Sequence, residues 1–225
     1  MQITLNHSVP SAVQPTPHVL EVATMFGLGI DRDRSIQLIP KTHLNLSPSQ
    51  IIFVTGASGS GKSTILRLIH EQLDPNPDAH VLGFDTLPEL QDRPLVDVFP
   101  RRRLNQTLKL LSLSGLNDAF VMLRKPSQLS DGQRYRLRLA QAMAMIESDV
   151  VPSRLKVILA DEFCSTLDRV TAKVLARNVR KWVSRSGACF VAATTHDDLL
   201  EPLAPDTLIE KHLGESLDLV ERSTP

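Results

Sequence analysis

Cysteine is almost missing from this chain. Among 225 residues only Cys164 and Cys189 occur, in no C-x-x-C pair and in no cluster spaced for a metal ion. That rules out a disulfide-stapled scaffold, and both thiols are expected as small buried hydrophobes in a reducing cytoplasm. Net charge is missing as well, because 25 lysine and arginine residues balance 25 aspartate and glutamate residues. No global field therefore draws the chain to nucleic acid or to an anionic membrane. Aromatic residues make up 4%, too few for a platform on which bases stack. No apolar run approaches the ~20 residues that cross a bilayer, and the N-terminus carries no charged-then-apolar leader pattern. Any service to a membrane process is expected to run through a partner. The length suits one sizeable core, a single α/β domain with a small inserted subdomain.

What is present is a phosphate cradle. Gly56-Ala57-Ser58-Gly59-Ser60-Gly61-Lys62-Ser63 fits G-x-x-x-x-G-K-[ST] without a mismatch, with Thr64 next in line. The glycines free the backbone to curl so that successive N–H groups point inward as an anion nest. Lys62 supplies a point charge for the β- and γ-phosphates, and the Ser63 hydroxyl is a hard oxygen ligand suited to Mg²⁺. The flanks agree: Gln50 to Val54 reads as a short buried strand, and Ser63 to Gln72 carries Ile65, Leu66, Leu68, Ile69 and Leu73 at helical spacing. A strand before and a helix after argue against a Gly/Ser linker, and the helix would aim its positive end at the phosphates.

Around this centre the chain divides by composition. Residues 1 to 17, with Pro10, Pro15 and Pro17, read as a flexible N-terminal arm, and 18 to 225 as the domain. His18 to Phe26 suggests a short helix closed by Gly27, and Ser35 to Leu46 two short strands broken at Pro40. Asp74-Pro75-Asn76-Pro77 is a turn, and about 87 to 130 reads as an inserted helical piece interrupted early by Pro88, Pro94 and Pro100. Gln133 to Ile146 is a helix, Val157 to Ala160 a buried strand, Asp168 to Ser184 a helix, and Cys189 to Thr194 another buried strand. Strands alternating with such helices predict a mostly parallel sheet with right-handed crossovers.

Two further patterns bear on chemistry. Val157 to Ala160 ends in Asp161-Glu162, and a buried strand delivers such carboxylates to the sheet edge where the phosphate loop lies. Asp161 is there to hold Mg²⁺ directly or through water, and Glu162 to orient and deprotonate an attacking water. Taken alone the pair reads equally well as bland surface carboxylates at a strand end; downstream of the phosphate loop it points to the site. Leu129-Ser130-Asp131-Gly132-Gln133 precedes a helix: Ser130 offers a hydroxyl, Gly132 permits close approach, and the helix points its positive end at an anion. A helix-capping Ser/Asp turn accounts for the same residues.

Here the sequence resembles the ATP-binding cassette (ABC) ATPases, whose signature reads LSGGQ. The resemblance covers roughly Ser49 to His196 and rests on five motifs in the family's order. It implies a P-loop NTPase α/β fold with a mostly parallel central sheet, a short helical subdomain and a small β-rich N-terminal edge. It also implies ATP and Mg²⁺ as ligands, and a head-to-tail dimer in which Ser130, Gly132 and Gln133 of one copy cap the γ-phosphate bound by the other. Ser165-Thr166-Leu167-Asp168 resembles the loop that crosses that interface, bringing Asp168 to it. His196 resembles the switch histidine that contacts the γ-phosphate, and Gln91 is the candidate for the glutamine that contacts Mg²⁺ and the attacking water. Asp131 departs from the family by replacing the first signature glycine, which puts a carboxylate near a triphosphate, and Phe163-Cys164 replaces the usual Pro-Thr.

The strings Asp161 to Arg169 and Thr195 to Leu199, with a Lys62-to-Ser130 segment short for a transporter, look like ABC-type ATPases fused to acetyltransferase domains. These 225 residues leave no room for an acetyltransferase, so the chain is expected to be at most the ATPase half. Three functions stay open: a non-transporter ATPase driving a partner enzyme or nucleic-acid assembly, a transporter's ATPase subunit with a coupling surface around Gln91 to Arg103, and a nucleotide-gated interaction module with negligible hydrolysis. Arg101 to Arg103 and the face of Arg134, Arg136 and Arg138 read as solvated or interface charge. Phe26 is either an adenine-stacking ring or core, and Trp182, on a helix stripe with Val174, Leu175 and Val179, is core.

Overall fold

Alternation governs the start of the chain. Ile3 and Leu5 turn inward between exposed neighbours, and strand β1 (Gln2–Pro10) pairs antiparallel with β2 (Ser35–Asn45), whose Ile39 and Leu44 are buried beside them. The computed structural model describes residues 1–10, 14–28, 35–151 and 153–222; positions 11–13 of the expected arm lie outside them. The loose arm is thus corrected over its first ten residues, where prolines outweighed a period-two pattern that buries two side chains. The expected break at Pro40 is corrected too. The sheet has two strands, so each strand has an unpaired edge where proline's missing N–H costs nothing. Between Leu5 and His7, and again between His7 and Ser8, the register slips by one extra residue of β2, which absorbs the irregularity as a bulge. Helix α1 (Pro17–Met25) lies between the two strands in sequence, capped by Thr16 and followed by left-handed Gly27 (φ 62°). Phe26 beside that cap is 74% exposed and is not core.

Ile51–Thr55 (β3) is buried at every position, as a strand covered on both faces must be. After it come α2 (Lys62–Leu73), β4 (Ala79–Gly83), α3 (Leu104–Leu113), α4 (Ala119–Met122), α5 (Asp131–Ser148), β5 (Leu155–Ala160), α6 (Arg169–Ser186), β6 (Cys189–Ala193), α7 (Leu200–Leu203), β7 (Thr207–Lys211) and β8 (Leu217–Glu221). The strand order is β4-β5-β6-β3-β7-β8, with β8 alone antiparallel to its neighbour. Period two splits the core. Ile51, Phe53, Ile158 and Phe190 face α3, α5 and α6, where Trp182 is buried and donates Nε1–H to Glu147 at 2.9 Å. Ile52, Val54, Val157 and Val191 face α2 and the β1–β2 hairpin through Ile65, Ile69, Leu5 and Leu44. Val174, expected on the Trp182 stripe, is 52% exposed.

Two outcomes follow from this packing. Leu5→Ala should destabilise the domain by about 2–5 kcal/mol in urea unfolding, whereas Ile36→Ala, on an exposed position of β2, should change stability by about 0.5 kcal/mol or less; a loose arm would leave both variants like the parent. Burial pushes the Cys164 and Cys189 thiols up to about 12 from an ordinary 9.0. Their folded forms bind protons more tightly than the unfolded chain does. The contribution to stability is therefore intact below about pH 9 and is lost as pH rises through about 12. At pH 8 an aromatic disulfide reagent should label neither thiol until denaturant is added; rapid native labelling would contradict the burial.

Candidate functional site

Parallel strands collect their carboxyl ends at one edge of a sheet, and four of those ends meet here. Register sets the levels: Val54 lies opposite Ala193, and Ala160 opposite Ala192. The turn after β3, the carboxylates after β5 and the segment after β6 therefore come side by side. The first of these, Gly56 to Ser63, needs glycine at its two ends. At Gly56 (φ 137°) a Cβ would stand 2.0 Å from the Lys211 carbonyl oxygen of the neighbouring strand. Gly61 (φ 110°) is the left-handed N-cap from which α2 starts. The first turn of α2 leaves its amides without intrahelical partners, so they point out of the helix end into the loop. Ser60 Oγ is buried and has no hydrogen-bond partner among the described residues. Lys62 folds back over the loop and donates Nζ–H to the carbonyls of Gly56 and Ala57, each at 2.8 Å. Burial lowers the Lys62 ammonium's pKa, opposed by the Asp161 and then the Glu162 carboxylates.

Two recesses open over this loop. One, of about 470 Å³, is lined by Ser58, Lys62, Ser63, Asp161, Glu162 and Thr195 among others. Its neighbour, of about 530 Å³, shares Ser63, Asp161 and Glu162 and adds Asp85, Thr86 and His70. The hydroxyl and the two carboxylates thus stand where the recesses join. Asp161 Oδ1 accepts from the Glu162 backbone N–H at 2.9 Å, and Glu162 itself sits in left-handed backbone at φ 48°. His196 follows Thr195 in sequence but lines neither recess. Its loop is pinned on both sides: Thr55 donates its hydroxyl to Asp197 at 2.6 Å, and Asp198 is paired with Arg169 and Lys173 of α6. Asp168 is the N-cap of α6, and hydrogen bonds from Thr171, the side chain's first and the backbone's second, hold its carboxyl below the usual range.

The candidates do not all converge. Ser130 caps α5 with Gln133 in a reciprocal pair, Gln133 N–H to Ser130 Oγ at 3.4 Å and Ser130 N–H to Gln133 Oε1 at 3.1 Å. At Gly132 an added Cβ would stand 3.1 Å from the Leu167 side chain and 3.5 Å from the Thr166 carbonyl. None of Ser130, Gly132 and Gln133 lines either recess. Gln91 is exposed, its side chain is taken up by Arg93, and it lines neither recess within the single chain. Asp85 and Thr86, just past β4, reach the site instead. Reading β4 from the sequence was the signal that would have found them. The arginine face is occupied within the chain: Arg134 donates to the Leu129 carbonyl, Arg136 to Gly132 and Gly115, and Arg138 to Phe84. A larger cavity of about 670 Å³, lined by Phe99, Arg101, Arg102 and Met145, lies apart from this chemistry.

Comparison with known proteins bears on the same residues. The AAA domain family matches residues 45–201. The sulfate/thiosulfate import ATP-binding protein CysA of Thermosynechococcus vestitus is 34% identical over 181 residues, which is 67% of this chain and 49% of its own length. A probable sulfate/thiosulfate import ATP-binding protein CysA of Chlorella vulgaris is 31% identical over 179 residues, 66% of this chain and 69% of its own length. The chain thus spans about half the length of the first of these relatives. Among solved structures, the dimeric bacterial ABC transporter cassette MJ0796 superposes with a TM-score of 0.60 over 85% of this chain and 94% of that chain, at 21% identity, a likeness of fold. Identity at this level over two thirds of a relative, together with the family match over residues 45–201, assigns the chain to the ATP-binding cassette ATPases, a branch of the P-loop nucleoside triphosphatases.

Proposed function

We propose that two copies of this ATPase, identical or related, close head to tail over ATP, each phosphate loop facing the other copy's Ser130 to Gln133. One observation carries the reading: within a single chain the α5 cap never reaches the recess that holds Lys62, Ser63, Asp161 and Glu162. Both helix N-termini are anion sites by their dipoles, and only a second copy brings one against the other's phosphates. Asp131 does not stand in the way, because its exposed carboxylate leans toward Arg134 at 3.9 Å. That favours turnover over a module that only binds nucleotide.

The donor set also fits the metal. Ser63 and Asp161 are hard oxygen donors on the wall common to both recesses, and they would hold Mg²⁺ against the phosphates. When bound, the ion would supply positive charge to the transferring phosphoryl group. Lys62 and the loop amides bind and orient the triphosphate, Glu162 takes the proton of the attacking water, and His196 senses the γ-phosphate. Gln91, bonded to Arg93 within the single chain, remains the candidate for contacting the ion and the attacking water, and would have to turn toward the recess to do so.

Two kinds of partner follow from different observations. The names of the relatives, sulfate/thiosulfate import ATP-binding proteins, support a membrane transport partner at the cytoplasmic face. The brevity of the segment between β4 and α5 supports an enzyme or assembly in the cytoplasm, an acetyltransferase being the type the sequence resemblance suggests. The short helical region about 87 to 130 is the coupling surface in either case. Purification of the tagged chain from membrane and soluble fractions separates them, a membrane protein co-purifying in the first case only.

Loop and base act in different steps, so removing the base should spare binding. Glu162→Gln should bind ATP with the parent's affinity, lose turnover by about 100-fold or more, and elute as an ATP-dependent dimer in size-exclusion chromatography. A monomer at saturating ATP would sink the two-copy site.

A further inference from the structure

We infer that Tyr135, the chain's one tyrosine, is a positioning residue for Glu162: from α5 it holds the left-handed turn on which the base is mounted. The inference rests on the reading of Glu162 as the general base. Four non-glycine residues have positive φ among the described residues, and two of them, Glu162 (φ 48°) and Cys164 (φ 61°), flank one position. Such backbone persists only where its surroundings over-determine it, so the restraints on this turn decide how sharply the carboxylate is aimed.

An accounting of the amides finds them. Glu162 N–H goes to Asp161 Oδ1 at 2.9 Å, Phe163 N–H to the Ala193 carbonyl at 2.7 Å, and Ser165 N–H to the Glu162 carbonyl at 2.9 Å. Cys164 N–H donates to the phenol oxygen of Tyr135 at 3.1 Å. Two of these restraints are internal to the turn and one comes from the adjacent strand β6. Among the described residues, Tyr135 is the one side chain from outside the turn that hydrogen-bonds its backbone. The Phe163 ring between the two left-handed residues is fully buried, edge-on to Phe190 at 5.5 Å.

Tyr135 is itself fixed. Its ring packs edge-to-face on Phe84 with centroids 5.4 Å apart, and Phe84 leads from β4 into Asp85. One turn earlier on α5, a Cβ placed on Gly132 would stand 3.1 Å from the Leu167 side chain and 3.5 Å from the Thr166 carbonyl, so the helix passes close to the same segment there. The phenol stays protonated across the working range, its pKa pushed well up by burial. It therefore acts as a neutral clamp and takes no proton from the reaction.

Tyr135→Phe keeps the ring on Phe84 and deletes only the oxygen that Cys164 N–H bonds. We expect kcat to fall about tenfold or more, the scale of a misplaced catalytic group, with KM and the Kd for ATP within twofold of the parent and the Tm nearly unchanged. Backbone amide exchange at Cys164 should quicken in the same variant. Because the effect runs through the base, adding Tyr135→Phe to Glu162→Gln should leave the residual turnover where it was. Parent-like kcat in Tyr135→Phe, or an equal fractional loss in the Glu162→Gln background, would overturn the inference. A Glu162→Gln variant as active as the parent would instead overturn the reading of Glu162 on which it rests.

Discussion

The domain depends on one junction: β3 ends in a turn that must become left-handed at Gly56 and Gly61 before α2 can begin. The strand is apolar on both faces and so is fixed at the centre of the sheet. The helix is amphipathic and so is fixed on one face of it. The turn between them has no freedom to relocate. At Gly56 it lies against the backbone of β7, where any side chain would collide with the Lys211 carbonyl. The anion nest is therefore a consequence of how strand and helix are packed.

Everything else in the site is placed by register relative to that junction. Asp161 and Glu162 are where they are because β5 pairs in parallel with β6, and β6 with β3. The histidine loop is held by Thr55, the last residue of β3, and by the ion pairs of Asp198 with α6. Opposing this order is the strain of the Glu162–Cys164 turn. The bonds from Asp161, Ala193 and Tyr135 offset it, and the first and last of these come from residues that also serve the nucleotide site or the helix behind its cap.

Much of this was legible in the sequence, for identifiable reasons. β3, β5 and β6 read correctly because they are continuous apolar runs, and α2 and α6 because each carries a clear apolar stripe. The glycine loop stood out in the sequence because phosphate-cradling chemistry needs particular residue types at fixed spacing. Elsewhere local signals misled. Prolines hid β1 and split β2, although strands with an open edge tolerate them. β4 has five residues and no strong pattern, so it went unread. With it went the signal for Asp85, which the end of β4 delivers to the wall of the recess. Tyr135 looked like one more residue of an arginine-rich helix face. Its partner, Cys164, lies 29 positions away, and no spacing rule connects them.

The central claim is that the glycine-lined turn and its lysine hold the triphosphate. Equilibrium binding of a fluorescent ATP analogue to Lys62→Ala tests it most directly, with circular dichroism and Tm checking that the fold is intact. A charged hydrogen bond to phosphate is worth roughly 1.5–3 kcal/mol, so affinity should fall by more than about tenfold while the Tm stays at the parent value. Binding as tight as the parent's, in a variant that still hydrolyses ATP, would contradict the account.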